Sequence, residues 1–531
     1  MRERLLGSVQ SSVGSVLAIG LLLSWCAVWE GVACGYDDMP STPPQLEHTD
    51  MVSPRDFSYD ALAKLAGAGL VPGYSARHFN SDLVYSRRQL AKIIASALTS
   101  ASTERGAWRS YERPEQGPYM RGDEPMLLLQ ELAREFADEL RPNRRIPLSI
   151  EGEKTFSSFS IIARLRPIVS YAFDSAPSIV RHLTNVTALY RIDNHTRFYL
   201  RLSASRQTSA LESFNRPFVD TALLVTKFMK GRLEMGRKYT RWGPGYLGGM
   251  LLSDNVHPLD MIEWSGRIYV PIAGHWRLRY MLALLHGDTY GKRFLLARRV
   301  ERRANRFLVF GLSEVQISKP FPTPLAFVMP LYPASRIAVR MGREEDSDEI
   351  IVSMDAVWTK RNGTRFYVEW LIDDLRLDRP AERQMGWLVG LQIPFNIEER
   401  RPGLTLEYAR FDRNTYTHRN PKINYQYHGE SLGYPTGPNS QVLFARLDIP
   451  MSAKNHLTVL GAAVEHGRKT NPDWEPYWGI HFYHDFTPNM SLGVRYTRGM
   501  PPRCGRPVLQ GAWGARAENA DYLSVEFNAT F

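Results

Sequence analysis

From about residue 149 to its end, the sequence alternates apolar and polar residues with a period of two. This pattern is typical of β-strands whose two faces have different surroundings. A soluble antiparallel sandwich alternates too, but here the polar face carries charges in strand after strand, as a water-filled lumen permits. Clear examples are TRFYLRLSASR from residue 196, VLFARLDI from residue 442 and DYLSVEFNATF at the end of the chain.

The repeated alternation predicts a membrane β-barrel. Lipid offers no hydrogen bonds, so membrane strands satisfy their backbone groups by closing into a barrel. The terminal Phe531 resembles the signal that the outer-membrane assembly machinery recognises. Roughly 380 residues at ~20 to 22 per strand and loop give about 16 to 18 strands. We therefore expect a mainly β chain, a transmembrane antiparallel outer-membrane barrel over 149–531, with a small helical domain before it.

The N-terminus predicts export. A basic start (Arg2, Arg4) and an apolar stretch precede small residues near Cys34, as in a secretory signal peptide over 1–34. Cys34 and Cys504 are then the cysteines left, too few for a disulfide framework. Whether Cys34 carries a lipid stays open.

The formal net charge of the chain is +11, which favours an acidic partner. In an exported protein this partner is an acidic glycan or the lipopolysaccharide of the outer membrane rather than nucleic acid.

Between the signal and the barrel, the sequence predicts a Pro-rich linker over 35–55 and a compact helical domain over 56–103. Apolar residues follow helical spacing near residues 59–66, and Ser86 is a candidate N-cap for a helix over 87–98. A polar linker and an amphipathic helix (124–141) then occupy 104–148. That helix could pair with a second copy as a short coiled coil, but it is short for one, and docking against the barrel's periplasmic end is the favoured interpretation.

The helical domain resembles one S-layer homology repeat, through the blocks YDAL at residue 59, GLVPGY at 69 and YSRRQLA at 85. The resemblance implies binding to peptidoglycan or a linked cell-wall polymer from the periplasm. Its candidate wall-binding residues are Gly73, Tyr74 and Arg87. Against the resemblance, only one repeat is visible, and the usual Trp and Glu of the family are missing.

The segment 236–264, GRKYTRWGPGYLGGMLLSDNVHPLDMIEW, resembles the signature region of the Wzi family of capsule-assembly proteins. Further blocks resemble that family in the same order: FYVEWLIDD at residue 366, GWLVGL at 386 and YQYHGESLGYP at 425. The resemblance implies an outer-membrane barrel, not an enzyme, that holds capsular polysaccharide on the bacterial surface.

Sugars are bound by aromatic platforms and by planar donors such as Arg, which fits a carboxylate through two parallel bonds. On that chemistry, and on the two loop blocks, the candidate glycan-binding residues are Arg237, Tyr239, Arg241, Trp242, Asp254, Asn255, Tyr425, Tyr427 and His428. Each could instead be an aromatic girdle residue or an arginine of the lumen.

Strand parity constrains this segment. Leu233 and Met235 share a face with Arg237 and Arg241, and a lipid-facing surface cannot continue through two arginines. The chain must leave the bilayer, bulge or enter the lumen near Arg237, which places the motif inside the barrel or at its rim.

Other functions stay open or are disfavoured. A porin for anionic or sugar solutes, tethered by the S-layer homology repeat, is the alternative to polysaccharide retention. A hydrolase would need opposed carboxylates, but the neighbouring Asp373 and Asp374 point to opposite faces of a strand. The sequence contains no phosphate-binding loop, zinc spacing or nucleophile elbow, so we expect no catalytic residues, no metal and no cofactor.

Overall fold

The computed structural model describes residues 50–80, 83–103, 124–140, 159–172, 179–209, 213–229, 231–270, 274–286, 291–319, 348–373, 384–394, 402–418, 420–467, 474–498 and 521–531. The predicted signal peptide with Cys34, the linker up to residue 49, the polar stretch 104–123, Asp374 and Cys504 lie outside the described residues.

Eighteen strands form one antiparallel sheet, in which neighbours in sequence pair with each other and the last strand pairs with the first. The predicted barrel is confirmed, and its strand number lies at the upper end of the expected range. The strands are β1 (Phe159–Ala172), β2 (Ile179–Arg191), β3 (Arg197–Ser209), β4 (Ser213–Phe228), β5 (Gly231–Lys238), β6 (Leu259–Val270), β7 (Gly274–Leu285), β8 (Arg293–Arg303), β9 (Leu308–Ser318), β10 (Asp348–Thr359), β11 (Arg365–Asp373), β12 (Met385–Pro394), β13 (Pro402–Phe411), β16 (Ser440–Pro450), β17 (Asn455–His466), β18 (Trp474–Thr487), β19 (Met490–Arg498) and β20 (Asp521–Thr530), while β14 (Gln426–Tyr427) and β15 (Glu430–Ser431) form a separate hairpin.

The alternation in sequence sorts the side chains between the two surfaces of the barrel. In β20, Leu523 and Val525 are 38% and 43% exposed, whereas Ser524, Glu526 and Asn528 are buried. The apolar residues therefore form the outer surface, and the polar residues point into the lumen.

The two ends of the barrel differ. At one end, the short-turn end, tight turns such as 304–307 and 451–454 connect the strands. At the other, the long-loop end, the segments 239–258 and 412–439 join β5 to β6 and β13 to β16. The backbone of Phe531 pairs with Ala163 of β1, toward the short-turn end.

Among the residues that the structure describes before the barrel, five helices are present: α1 (Phe57–Gly67), α2 (Arg77–Asn80), α3 (Arg87–Thr103), α4 (Glu124–Glu135) and α5 (Ala137–Leu140). Ser86 caps α3 as predicted. Its hydroxyl accepts a bond from the Gln89 amide at 3.3 Å, and the Gln89 side chain accepts one from the Ser86 amide at 2.7 Å, which is a capping box. None of the described helices combines the length and the apolar character needed to cross a membrane.

Residues 50–140, as far as the structure describes them, form a helical unit that docks into the short-turn end of the barrel. The apolar face of α4, with Leu127, Leu128 and Leu132 fully buried, belongs to the core that contains Tyr59 and Leu62 of α1. Its polar side faces the strands. The amphipathic helix therefore docks against the barrel at its short-turn end, and the periplasmic location of that end stays a prediction.

Carboxylates of the helical unit pair with arginines of the barrel wall. Asp60 lies 2.9 Å from Arg164 and 3.3 Å from Arg201. Glu131 lies 2.8 Å from Arg191 and 3.3 Å from Arg197. Further pairs join Glu135 to Arg232, Asp138 to Arg267 and, with the signs reversed, Arg77 to Asp485.

The predicted linker ends earlier than expected. Residues 50–53 are buried, and the Asp50 side chain accepts a 2.8 Å bond from the Gly243 amide. Asp50 also pairs with Arg279 and Arg299 of the wall. The Pro-rich composition suggested a solvated spacer, but these lumen cations require a buried counter-charge.

Replacing Glu131 tests the docking. Glu131→Gln leaves Arg191 and Arg197 without their shared carboxylate, and removing one partner of a buried ion pair costs about 3 kcal/mol. We expect faster proteolysis of the helical unit in the purified, detergent-solubilised barrel. Glu139→Gln is the matched control, because Glu139 pairs with Arg87 inside the unit. Equal proteolysis of both variants would contradict docking by ion pairs with the wall.

The docking is also expected to depend on pH. Burial raises the pKa of Glu135, but the nearby guanidinium groups of Arg232, Arg87 and Arg197 outweigh burial and hold this pKa below its ordinary value of 4.5. A depressed carboxyl pKa stabilises the docked state above the ordinary value, and this contribution is lost as pH falls through the depressed pKa.

Protease protection of the helical unit should therefore decrease over the acidic interval below the ordinary carboxyl pKa of 4.5. Glu135→Gln should start with weaker protection and lose less of it over the same interval. Parallel curves for the wild type and the variant would show that Glu135 does not contribute to the acid sensitivity.

Candidate functional site

The segment 236–264 does not stay at the barrel surface. β5 ends at Lys238, and the following loop folds into the lumen. There the Trp242 amide bonds the Leu252 carbonyl at 3.0 Å. Trp242 is fully buried, and the Arg279 guanidinium lies 4.7 Å from its ring centroid. The cation beside an aromatic face is therefore an interior contact.

Steric constraints explain the first glycine of the Trp-Gly-Pro-Gly turn. Gly243 has a φ of +107°, and a Cβ there would lie 2.7 Å from a carboxylate oxygen of Glu369. Side chains avoid both this backbone region and such a contact. The loop can thus approach the wall at Glu369 only with glycine at this position.

Arg241 holds the same loop from within. Its guanidinium lies 3.3 Å from Asp254 and donates to the carbonyls of Gly245 and Tyr246. Asp254 in turn accepts a 2.6 Å bond from Ser53 of the helical unit. Arg241 and Asp254 therefore join the loop to itself and to the helical unit.

The loop 412–439 packs on the first loop. Tyr425 donates to the Leu251 carbonyl at 2.6 Å, and Asn255 donates to the Ser431 carbonyl at 2.8 Å. Glu407 of β13 accepts bonds from the amide of Leu247 and the hydroxyl of Tyr434. The two loops form one closure at the long-loop end.

Seven of the nine predicted glycan-binding residues are buried in this closure or beside it: Tyr239, Arg241, Trp242, Asp254, Asn255, Tyr425 and Tyr427. Packing against the loops, the barrel wall and the helical unit covers these side chains, so none of them presents an exposed face at the long-loop end, and glycan contact by them stays a prediction. Arg237, with 36% of its side chain exposed, and His428 remain accessible.

Arg237 faces outward, at the position where parity predicted a break in the lipid-facing surface. It pairs through two bonds with Asp260 on β6, with Nε to Oδ1 at 2.6 Å and Nη2 to Oδ2 at 2.7 Å. His286, just after β7, lies 2.6 Å from the same carboxylate. The strands end here, so these charges lie at the rim.

Loop residues complete this feature, which we call the rim cluster (Arg237, Asp260, His286, His257, Tyr427 and His428). The Tyr427 hydroxyl donates to the His286 carbonyl at 3.3 Å. The ring of His428 lies 4.4 Å from that of Tyr427 and 4.6 Å from that of His257. The cluster offers a planar cation and imidazole rings, which suit hydroxyl and carboxylate groups, while the buried Tyr427 ring supports them from below.

Asp260, His286 and His257 are not among the residues predicted from the sequence. Asp260 interrupts the outward face of β6 beside the exposed Ile262, just as Arg237 interrupts β5. A search for opposite charges that break the outward face of paired strands would have found this pair.

The residues predicted to bind the cell wall differ in their exposure to solvent. Gly73 is exposed and Tyr74 is half-buried in the turn between α1 and α2. Arg87 is engaged within the helical unit by Glu139 at 2.7 Å and Glu135 at 3.2 Å. Of these three residues, only those in the turn are therefore accessible to the cell wall, while Arg87 stabilises the helical unit.

The carboxylates near β11 have structural contacts. Asp373 accepts the Tyr416 amide at 2.6 Å, and Glu369 lies under Gly243. In the part of the chain that the structure describes, no group of three or more His, Cys, Asp or Glu side chains is arranged to hold a metal ion.

The family profile described as "Capsule assembly protein Wzi" matches residues 182–498, more than half of the chain. The chain belongs to the Wzi capsule assembly family. As a Wzi-family protein it is an outer-membrane β-barrel. No curated protein matches the sequence significantly.

Solved structures share the architecture. Wzi from Escherichia coli, described as a carbohydrate-binding outer-membrane barrel involved in group 1 capsule assembly, is 12% identical, covers 91% of this chain and 99% of its own, and gives a TM-score of 0.50. OmpF from Salmonella typhi is 9% identical, with 70% and 97% coverage and a TM-score of 0.37. At these identities the likeness to Wzi shows the fold.

Gly243→Ala tests the closure formed by the loops. The added methyl group meets Glu369 and a backbone strained by ~1 kcal/mol or more, so we expect the loop 239–258 to open and Trp242 fluorescence to become quenchable. Gly437→Ala is the matched control, since Gly437 also has a positive φ but nothing within 4 Å of the added atom. Comparable quenching in both variants would show that backbone strain, and not the contact with Glu369, opens the loop.

Proposed function

We propose that this protein binds and retains an acidic surface polysaccharide, capsular where the cell makes a capsule, on the outside of the outer membrane, without catalysis. Family membership supports this proposal, and so does the position of the rim cluster at the long-loop end. In outer-membrane barrels that end is extracellular and the short turns are periplasmic. The observation that carries the site is the exposed Arg237 held in plane by Asp260.

The planar guanidinium group of Arg237 is already oriented to bind a carboxylate. Asp260 binds two of its nitrogen atoms, so the remaining N–H donors are available to a ligand without loss of side-chain freedom. A uronic acid carboxylate on a glycan can accept them, while the exposed ring of His428 offers a face and a donor to sugar hydroxyls.

A porin is the alternative function, and closure of the lumen distinguishes the two. The helical unit occupies one end and the two loops the other, with Asp50 and Gly243 in contact between them. We expect the wild-type protein to conduct little in planar bilayers. A steady anion current through the unmodified barrel would favour the porin.

Arg237→Ala tests the rim cluster. Loss of a charge-assisted contact worth about 1.5 kcal/mol weakens glycan binding roughly tenfold, and we expect polysaccharide to appear in the medium while the barrel folds normally. Arg498→Ala is the matched control, because Arg498 is also an outward arginine at this end, 3.8 Å from Asp521 of the adjacent strand.

A strain in which the gene is deleted shows the full loss of polysaccharide with which the two variants are compared. Polysaccharide shed by the deletion strain and by Arg237→Ala, but not by Arg498→Ala, supports retention at the rim cluster. Unchanged surface glycan with altered solute uptake in the deletion strain would overturn retention.

Cell-wall tethering is a second proposal, carried by the exposed turn at Pro72 and Gly73. This turn belongs to the helical unit at the short-turn end, which faces peptidoglycan if the short turns are periplasmic. Sedimentation with purified peptidoglycan tests it: Gly73→Asp and Tyr74→Ala should lower the bound fraction, and Arg87→Ala should act only by loosening the unit.

A further inference from the structure

A cavity lies at the end of the barrel opposite the rim cluster. It has a volume of about 920 Å³ and runs between the helical unit and the inner wall formed by β3 to β7. Thr221 to Lys227 of β4 line it, a stretch that covers ~20 Å at ~3.3 Å per residue. We call it the short-turn cavity.

The cavity opens at the short-turn end and is closed above. Asn194, His195 and Lys227 line it and are exposed, so solvent reaches it there. Its inner end is formed by Met51, Tyr239 and Thr240, all buried beside the inward loop. A ligand can therefore enter from the short-turn side without passing through the barrel.

The cavity wall is rich in donors. Eleven of its lining residues are Arg or Lys, and six are Asp or Glu. The carboxylates are shared: Glu135 contacts Arg87, Arg197 and Arg232. Each guanidinium carries five N–H donors, so the N–H donors of the cavity lining outnumber its carboxylate oxygens.

Two buried hydroxyl groups lack an acceptor or donor from the protein. The hydroxyls of Tyr199 and Thr240, residues that are 4% and 6% exposed, line the cavity and have no hydrogen-bond partner among the described residues. Buried polar groups are normally satisfied. The hydrogen-bonding capacity of these two hydroxyls is therefore unused by the described residues, at two residues that line the cavity.

Aromatic rings at the mouth and inside the cavity add apolar faces. Tyr269 lies 5.0 Å from His275 at the mouth, and Phe57 of the helical unit lies 4.5 Å from Tyr199 within. Rings beside guanidinium groups and free hydroxyls suit a sugar that carries carboxylates better than they suit a simple inorganic anion or a lipid chain.

We propose that the short-turn cavity binds a short acidic oligosaccharide segment, which enters from the short-turn side. The choice of a glycan rests on the proposed function, but the site is separate from the rim cluster. The protein then contacts acidic polymer on both faces of its closed lumen.

Calorimetric titration of the purified full-length protein in detergent tests this site. The probes are trigalacturonate, neutral maltotriose and inorganic phosphate. We expect trigalacturonate to bind in a salt-sensitive way, and maltotriose and phosphate to bind far more weakly. Tyr199→Phe and Lys227→Gln should each weaken trigalacturonate binding about fivefold or more.

The controls separate this site from the rim cluster. Lys360→Gln changes a lysine of another short turn that does not line the cavity, and it should bind like the wild type. Arg237→Ala removes the rim contact, so trigalacturonate binding that remains in this variant belongs to the cavity and should still be weakened by adding Lys227→Gln. Absence of trigalacturonate binding, equal binding of phosphate, or loss of binding in Arg237→Ala alone would overturn the cavity site. The last result would leave retention at the rim intact.

Discussion

The structure depends on pairing between carboxylates of the helical unit and arginines of the barrel wall. An arginine-rich lumen is unstable when it is dehydrated without counter-charges, because burying an unpaired ion costs several kcal/mol. Asp60, Glu131, Glu135 and Asp138 supply these charges from helices, and Asp50 supplies one from the segment before them. The wall and the helical unit therefore require each other.

The pairing has a functional consequence, because it closes the barrel from the short-turn end while the loops close it from the other. Both closures meet where Asp50 accepts the Gly243 amide and Ser53 donates to Asp254. The two proposed binding sites then lie on the two faces of the closure: the rim cluster outside, and the short-turn cavity beneath. A wide barrel of this family can in this way serve as a binding surface rather than as a channel.

Local patterns in the sequence were sufficient for much of the fold. Alternation predicted the strands and their orientation, helical spacing predicted α1, α3 and α4, and parity placed Arg237 at a break in the outward face. The roles of Arg241 and Trp242 could not be read in the same way, since their partners Asp254, Gly245 and Arg279 belong to contacts that exist only after the loop folds inward. Asp50 was assigned to a linker for the same reason: its partners Arg279 and Arg299 are more than two hundred residues away.

The position of the helical unit inside the barrel is the claim on which this account depends most. A Cβ on Gly67 would lie 2.9 Å from the Cβ of Asn489 in the β18–β19 turn, within ~1 Å of the separation that disulfides prefer. In a chain with Cys34 and Cys504 replaced by Ser, Gly67→Cys with Asn489→Cys should form a disulfide in outer membranes of intact cells. The account predicts nearly complete cross-linking with surface polysaccharide still retained. Absence of the cross-link in a correctly folded barrel would mean that the helical unit lies outside the lumen, and would contradict it.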